Sequence, residues 1–213
     1  MILTPIAAEA LPAVLKSFAG TLTTPMAHRV LARLAVPAAA ARATGDAAAR
    51  HHADAVSLAA SFGIGRKSGS PTLDFSWDGQ VLRQETEAYV LIHEVAHYQL
   101  AAPSRRGTID FGLGAGPETG DRATADRSIC VSDSERETEE TMASLLGILW
   151  EVEFGHPALA SFLDQNWLEG AGRPGAAAHF ETTLARLREG GFLDDAGRPT
   201  RMLRVGERCG SSA

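Results

Sequence analysis

Cysteine is nearly absent: Cys130 and Cys209 are the only two in 213 residues. So few thiols exclude a disulfide framework and fit a reducing compartment, so a cytoplasmic protein is expected. Cys130 reads as an inert thiol before it reads as a metal ligand. Long apolar runs are missing too, and nothing approaches the roughly 20 residues of a membrane span. The opening MILTPIAAEALPAVLKSFAG lacks the early basic residues of a secretion signal, because Lys16 comes too late. Nor is there a basic surplus. The formal net charge of −6 argues against nucleic acid or an anionic membrane as the main partner. No G-x-x-x-x-G-K-[ST] loop is available to cradle phosphate, and no internal repeat is visible. What remains, 45% hydrophobic and 22% charged, is a soluble globular mix long enough for one catalytic domain over residues 1–213.

The most informative stretch is Glu85 to Leu100, ETEAYVLIHEVAHYQL. Ala88, Leu91, Val95 and Leu100 recur near the helical period, Glu85 and Glu87 suit a helix N-terminus, and Pro103 supplies a stop. Within this predicted helix His93, Glu94 and His97 form H-E-x-x-H. Positions four apart lie about 40° apart around the axis and about 6 Å along it, so the two imidazoles share a face and can bind one ion. Glu94 beside them takes the general acid/base position. Buried histidines and a buried Glu in so apolar a helix are costly unless something holds them, and a metal does.

A second helix is expected over Ser134 to Gly155, with Ser134 and Glu137 as a capping box and Met142, Leu145, Leu146, Leu149 and Val152 as a core stripe. It is the natural source of a third ligand. Glu140 is the first choice, since Ala143 and Ser144 let two helices approach; Glu139 and Glu137 are the alternatives.

The rest is less specific. Residues 1–60 are Ala-rich and helical in pattern, with short amphipathic windows at Leu11–Phe18 and His28–Leu34 and a longer helix over Ala38–Ala60. His51 and His52 in that helix read as a solvated face. Thr72–Trp77 alternates like a half-buried strand before an Asp78–Gly79 turn. Ser104–Asp133 reads as a long charged, Gly-rich loop attached to the metal helix, and such loops are usually functional. Arg105 and Arg106 in it suit bidentate binding of a carboxylate. After His156–Pro157, a turn at Asn166–Gly170 and a helix over Ala176–Arg188 are expected, with lone His156 and His179 structural or exposed. Residues 205–213 read as a frayed tail.

The block HEVAHYQLAAPSRRGTIDFG, followed by the acidic helix with Glu140 and then FGHP and NWLEG, resembles the elongation factor P hydroxylase family over roughly residues 60–170. Paired Arg105 and Arg106 with Asp110-Phe111-Gly112 carry more of this likeness than H-E-x-x-H alone. The resemblance implies an α+β, predominantly helical, zincin-like fold: a metal helix, a small β element and a second, Glu-bearing helix. It also implies a non-haem iron(II), oxygen-dependent hydroxylase. His93, His97 and Glu140 would hold the metal, Glu94 would relay protons, and Arg105, Arg106 and Asp110 would serve the substrate. The family's substrate is elongation factor P bearing a modified lysine. Here the segment after Asp-Phe-Gly, LGAGPETGD, is Gly-rich where the family has bulkier aromatic residues, so the expected substrate widens to an amino acid, a lysine-like compound or a peptide or protein.

No 2-oxoglutarate signature is present, so a separate electron donor is expected. The competing reading is a zinc metallopeptidase in which Glu94 activates water; iron and zinc share this ligand set. A third is a structural metal site, which would need four protein ligands where only three stand out.

Overall fold

The computed structural model describes residues 6–36, 40–67, 75–83 and 85–206. They are predominantly helical, in the order α1 (Leu11–Ala19), α2 (Pro25–Leu34), α3 (Gly45–Ser61), β1 (Gly65–Lys67), β2 (Val81–Arg83), α4 (Ala88–Leu100), α5 (Arg122–Arg127), α6 (Asp133–Phe154), α7 (Ala158–Asp164) and α8 (Pro174–Glu189). β1 and β2 pair in parallel with Arg66 opposite Leu82. Among the described residues, no helix is long and apolar enough to cross a membrane.

The chain divides into two compact units, residues 1–43 with 148–200, and residues 44–147 with 201–213. The first has an aromatic core. Phe18 of α1, Phe162 of α7 and Phe180 of α8 are fully buried and meet edge to face at 5.6–6.3 Å, with Trp167 stacked 5.9 Å from Phe162. Such pairs add about 0.5–1.5 kcal/mol beyond the area they bury. Pro25 opens α2 behind Thr24, whose hydroxyl accepts from the Ala27 amide. α8 begins at Pro174 and ends at Gly190, with Arg186 and Arg188 in its last turn where the helix dipole favours cations.

The second unit carries the candidate site. α3 buries His51, Ala55, Leu58 and Ala59, a 4–3–1 spacing that makes one stripe, and packs along α4. Two expectations are corrected here. The Ala-rich helix starts at Gly45 rather than near Ala38, and His51 is buried rather than on a solvated face. Residues 72–74 of the expected strand lie outside the described residues, and Trp77 forms a single antiparallel bridge with Leu82. Asp78 does make the expected turn, its Oδ1 accepting from the Gln80 and Val81 amides with Gly79 at φ 95°.

The stretch after α4 is not one irregular loop. It contains 3₁₀ turns at Pro103–Arg105 and Ile109–Gly112 and the short α5, capped by Asp121. The capping box of the second long helix is real but two residues earlier than expected. Ser132 Oγ accepts from the Glu135 amide, and Glu135 Oε2 accepts from Ser132 N and Oγ at 2.9 and 2.8 Å. Residues 201–206 run back along α4: Arg204 N donates to Gln99 O and Gln99 Nε2 to Met202 O, both at 2.9 Å.

Candidate metal centre

α4 has no side-chain N-cap; it begins where extended Glu87 turns helical and ends where Ala101 returns to extended backbone ahead of Pro103. Between those limits His93 and His97 stand one turn apart. α6 brings Glu140 opposite them. Small residues on the same face of α6 set that approach: Ala143 is fully buried, and a Cβ on Gly147 would sit 3.3 Å from His93 Cα.

His93 Nε2 and His97 Nε2 are 3.0 Å apart, and Glu140 Oε2 lies 3.7 and 3.4 Å from them respectively. Donors about 2.0–2.1 Å from a shared ion at angles between 90° and tetrahedral are about 3.0–3.4 Å apart, so the set fits one ion with small adjustment. Among the described residues these three form the group that could hold a metal ion, with no fourth His, Cys, Asp or Glu joining them. Their side-chain exposures grade from 4% at His97 through 25% at His93 to 48% at Glu140, so the site opens to solvent on the Glu140 side.

The deepest donor is held from several directions. Phe111 stacks on the His97 ring at 5.8 Å and 22°, and Trp77 stacks on Phe111 at 5.4 Å and 8°. Phe111 reaches this place through an unusual backbone: Asp110 and Phe111 are both left-handed, at φ 42° and 55°. Asp tolerates that region, whereas Phe pays about 1–2 kcal/mol there. Asp110 secures the turn, accepting from Trp77 N at 3.3 Å and Thr119 Oγ1 at 2.7 Å, while its own amide donates to Trp77 O. Arg105 Nη1 donates to Phe111 O at 2.7 Å and Nη2 pairs with Glu139 Oε2. Glu139 faces His97 Nδ1, the ring nitrogen turned away from Glu140. Glu139 is therefore not positioned as the third ligand, and Glu137 is not in the group.

Arg105, Arg106 and Asp110 were expected to serve a substrate. Arg105 is buried between Phe111 and Glu139. Arg106 donates from Nε to Tyr98 O and from Nη2 to Arg204 O, with its guanidinium over the Tyr98 ring. All three thus have internal partners that tie the end of α4 to its surroundings.

Glu94 differs from its neighbours. It is half-buried, and no described residue donates a hydrogen bond to it. Burial pushes its carboxyl up to about 7, with the Asp110 and Glu140 carboxylates outweighing part of the pull of His97. Burial opposes charge on Glu140 as well, but His97 and His93 overcome it and hold Glu140 far below the usual carboxylate range. Burial lowers His93; at His97 it is outweighed by Glu140, Glu139 and Glu94, which raise the imidazole well above its ordinary value. One site thus contains a fully ionised carboxylate and another poised near neutrality.

Sequence reading gives no place in the centre to Gly147 or Trp77, offers Phe111 only within Asp110-Phe111-Gly112, and offers Glu139 as an alternative third ligand rather than as the partner of His97 Nδ1. Gly147 had a signal: it follows Glu140 by seven residues, on the same helical face as Ala143 and Ser144. The aromatic column had none, because it joins residues far apart in the chain. Comparison with known proteins found no family model, curated relative or solved structure that matches this chain.

Proposed function

We propose that this chain is a non-haem iron(II), oxygen-dependent hydroxylase acting on an amino-acid, lysine-like or peptide or protein substrate, with a zincin-like arrangement of α4 and α6. The observation that carries the metal reading is the convergence of His93, His97 and Glu140, with solvent exposure on the Glu140 side and no fourth ligand among the described residues. Three protein donors with an open position are the pattern of catalytic rather than structural sites, and two His with one carboxylate suit iron(II). The choice of oxygen chemistry draws on the resemblance: HEVAHYQLAAPSRRGTIDFG spans both the ligand-bearing helix and the residues that grip His97.

Iron bound there would supply oxygen activation. One oxygen atom enters a substrate C–H bond as hydroxyl and the other leaves as water, with two electrons from a separate donor and two protons. Glu94, with no hydrogen bond from a described residue and its carboxyl pushed up to about 7, is the group placed to hand over a proton beside the ligands. His93 and Glu140, the more exposed donors, border the side from which substrate enters. Arg105 and Asp110 act by holding Phe111, Glu139 and Trp77 in place.

A second reading rests on Glu94 itself: as a general base it would take a proton from the attacking water of a zinc peptidase and pass it to the leaving amine. Anaerobic protein loaded with iron(II) and exposed to nitric oxide separates the two. A high-spin iron–nitrosyl paramagnetic resonance signal, lost in Glu140→Ala, supports the oxygenase. Its absence, with zinc retained and a peptide cleaved by wild type but not by Glu94→Gln, overturns it in favour of the peptidase.

A further inference from the structure

His97 offers two ring nitrogens, and only Nε2 belongs to the group that faces Glu140. On the other side, His97 Nδ1 and Glu139 Oε1 are both buried without a hydrogen-bond partner and face each other across 3.7 Å. An unmade bond between two buried polar atoms is costly, and closing this gap by about half an ångström makes one. The second oxygen of Glu139 is occupied by Arg105 Nη2, and Arg105 Nη1 holds Phe111 O, whose ring stacks on His97. Glu139 therefore has one oxygen fixed by a group that only donates and one aimed at an imidazole nitrogen.

We propose that Glu139, anchored by Arg105, is a positioning residue that keeps the His97 proton on Nδ1 and so presents Nε2 as a bare lone pair to the metal. This rests on the reading that His93, His97 and Glu140 bind an ion. A neutral imidazole carries one N–H, and a carboxylate can only accept, so a carboxylate at Nδ1 selects the tautomer the site needs. Without that selection, the 3.0 Å contact between the two Nε2 atoms favours a proton on one of them, which competes directly with an ion.

Glu139→Gln tests this with almost no change of shape. Arg105 takes the amide oxygen, which turns the amide NH₂ toward Nδ1 and favours the wrong tautomer. Zinc affinity, measured by competition with a chromophoric chelator, is expected to fall about 10–100-fold while the metal-free variant retains its helical circular dichroism. In zinc-loaded, ¹⁵N-labelled wild type, the His97 Nδ1 proton is expected far downfield and slow to exchange, as a proton donated to a carboxylate; this holds as a test even where the variant does not fold. Equal zinc affinity in Glu139→Gln, or a His97 Nδ1 proton in the loaded wild type with the shift and exchange of one not bonded to a carboxylate, overturns the proposal while leaving the metal site intact. Wild type that binds no zinc overturns the metal reading itself and this inference with it.

Discussion

In the unit of residues 1–43 and 148–200, Phe18, Phe162 and Phe180 are buried against one another and the core is apolar where it is densest. In the unit of residues 44–147 and 201–213, the buried set includes His97, Gln99, Arg105, Asp110, Thr119 and Glu139, all in or near α4 and the turns after it. The first kind of core contributes stability, about 1.5–3 kcal/mol for each Phe removed from water. The second kind does not: a buried pair such as Arg105–Glu139 roughly offsets its own desolvation. What it gives is fixed direction. The first unit buries Glu151 and His156 as well, but in the second unit Arg105, Asp110 and Glu139 all surround His97, one of the three candidate metal donors.

Breaking each core should separate the two roles. Arg105→Met leaves Glu139 as an uncompensated buried charge, so a loss of about 3–5 kcal/mol in urea unfolding is expected together with weakened zinc binding. Phe180→Ala should cost a similar amount, about 3–5 kcal/mol, yet leave zinc affinity within about twofold once the protein is folded. Equal damage to zinc binding from both variants would erase the distinction.

A smaller effect sharpens it. Gly147→Ala gains about 1 kcal/mol of helix propensity but places a methyl 3.3 Å from His93 Cα, where overpacking costs about 1–3 kcal/mol. Stability should therefore change by no more than about 2 kcal/mol, whereas zinc affinity should fall, because backbone must give way between Glu140 and the histidines. Unchanged affinity would mean that the spacing of α4 and α6 is not what sets the donor distances.

The smallest effect belongs to the other unit. Glu181 accepts from Thr23 N, Thr24 N and Thr23 Oγ1, next to the start of α2. Slight burial opposes its ionisation, but these hydrogen bonds prevail and lower its carboxyl. A lowered folded-state pKa means the contribution is present above the ordinary carboxylate range and is lost as pH falls through the folded value. Glu181→Gln should lower Tm by about 1–2 °C at neutral pH and have no effect at strongly acid pH, read by thermal melts across pH. A difference that persists in acid would contradict the charge-based account.

Much of the site was legible because helical periodicity is local. H-E-x-x-H fixed His93, Glu94 and His97 on one helix, and small Ala143 and Ser144 pointed to Glu140 as the donor that could come close. The capping box was read two residues late because Ser132–Glu135 and Ser134–Glu137 have the same spacing, and only the former makes the bonds. His51 was misplaced because an Ala-rich helix shows little contrast between its faces. Arg105 and Asp110 looked like substrate groups because polar residues after a metal helix have that chemistry; their partners Glu139, Trp77 and Thr119 are between 9 and 34 positions away. The left-handed Phe111 had no sequence signal at all, since Phe rarely adopts that backbone.

The central claim is that one ion sits among His93, His97 and Glu140. Crystals soaked in zinc and measured above and below the zinc edge test it directly. The account predicts a single strong anomalous peak about 2.0–2.2 Å from His93 Nε2, His97 Nε2 and Glu140 Oε2. A peak between His97 Nδ1 and Glu139, or zinc bound only elsewhere on the chain, would contradict it.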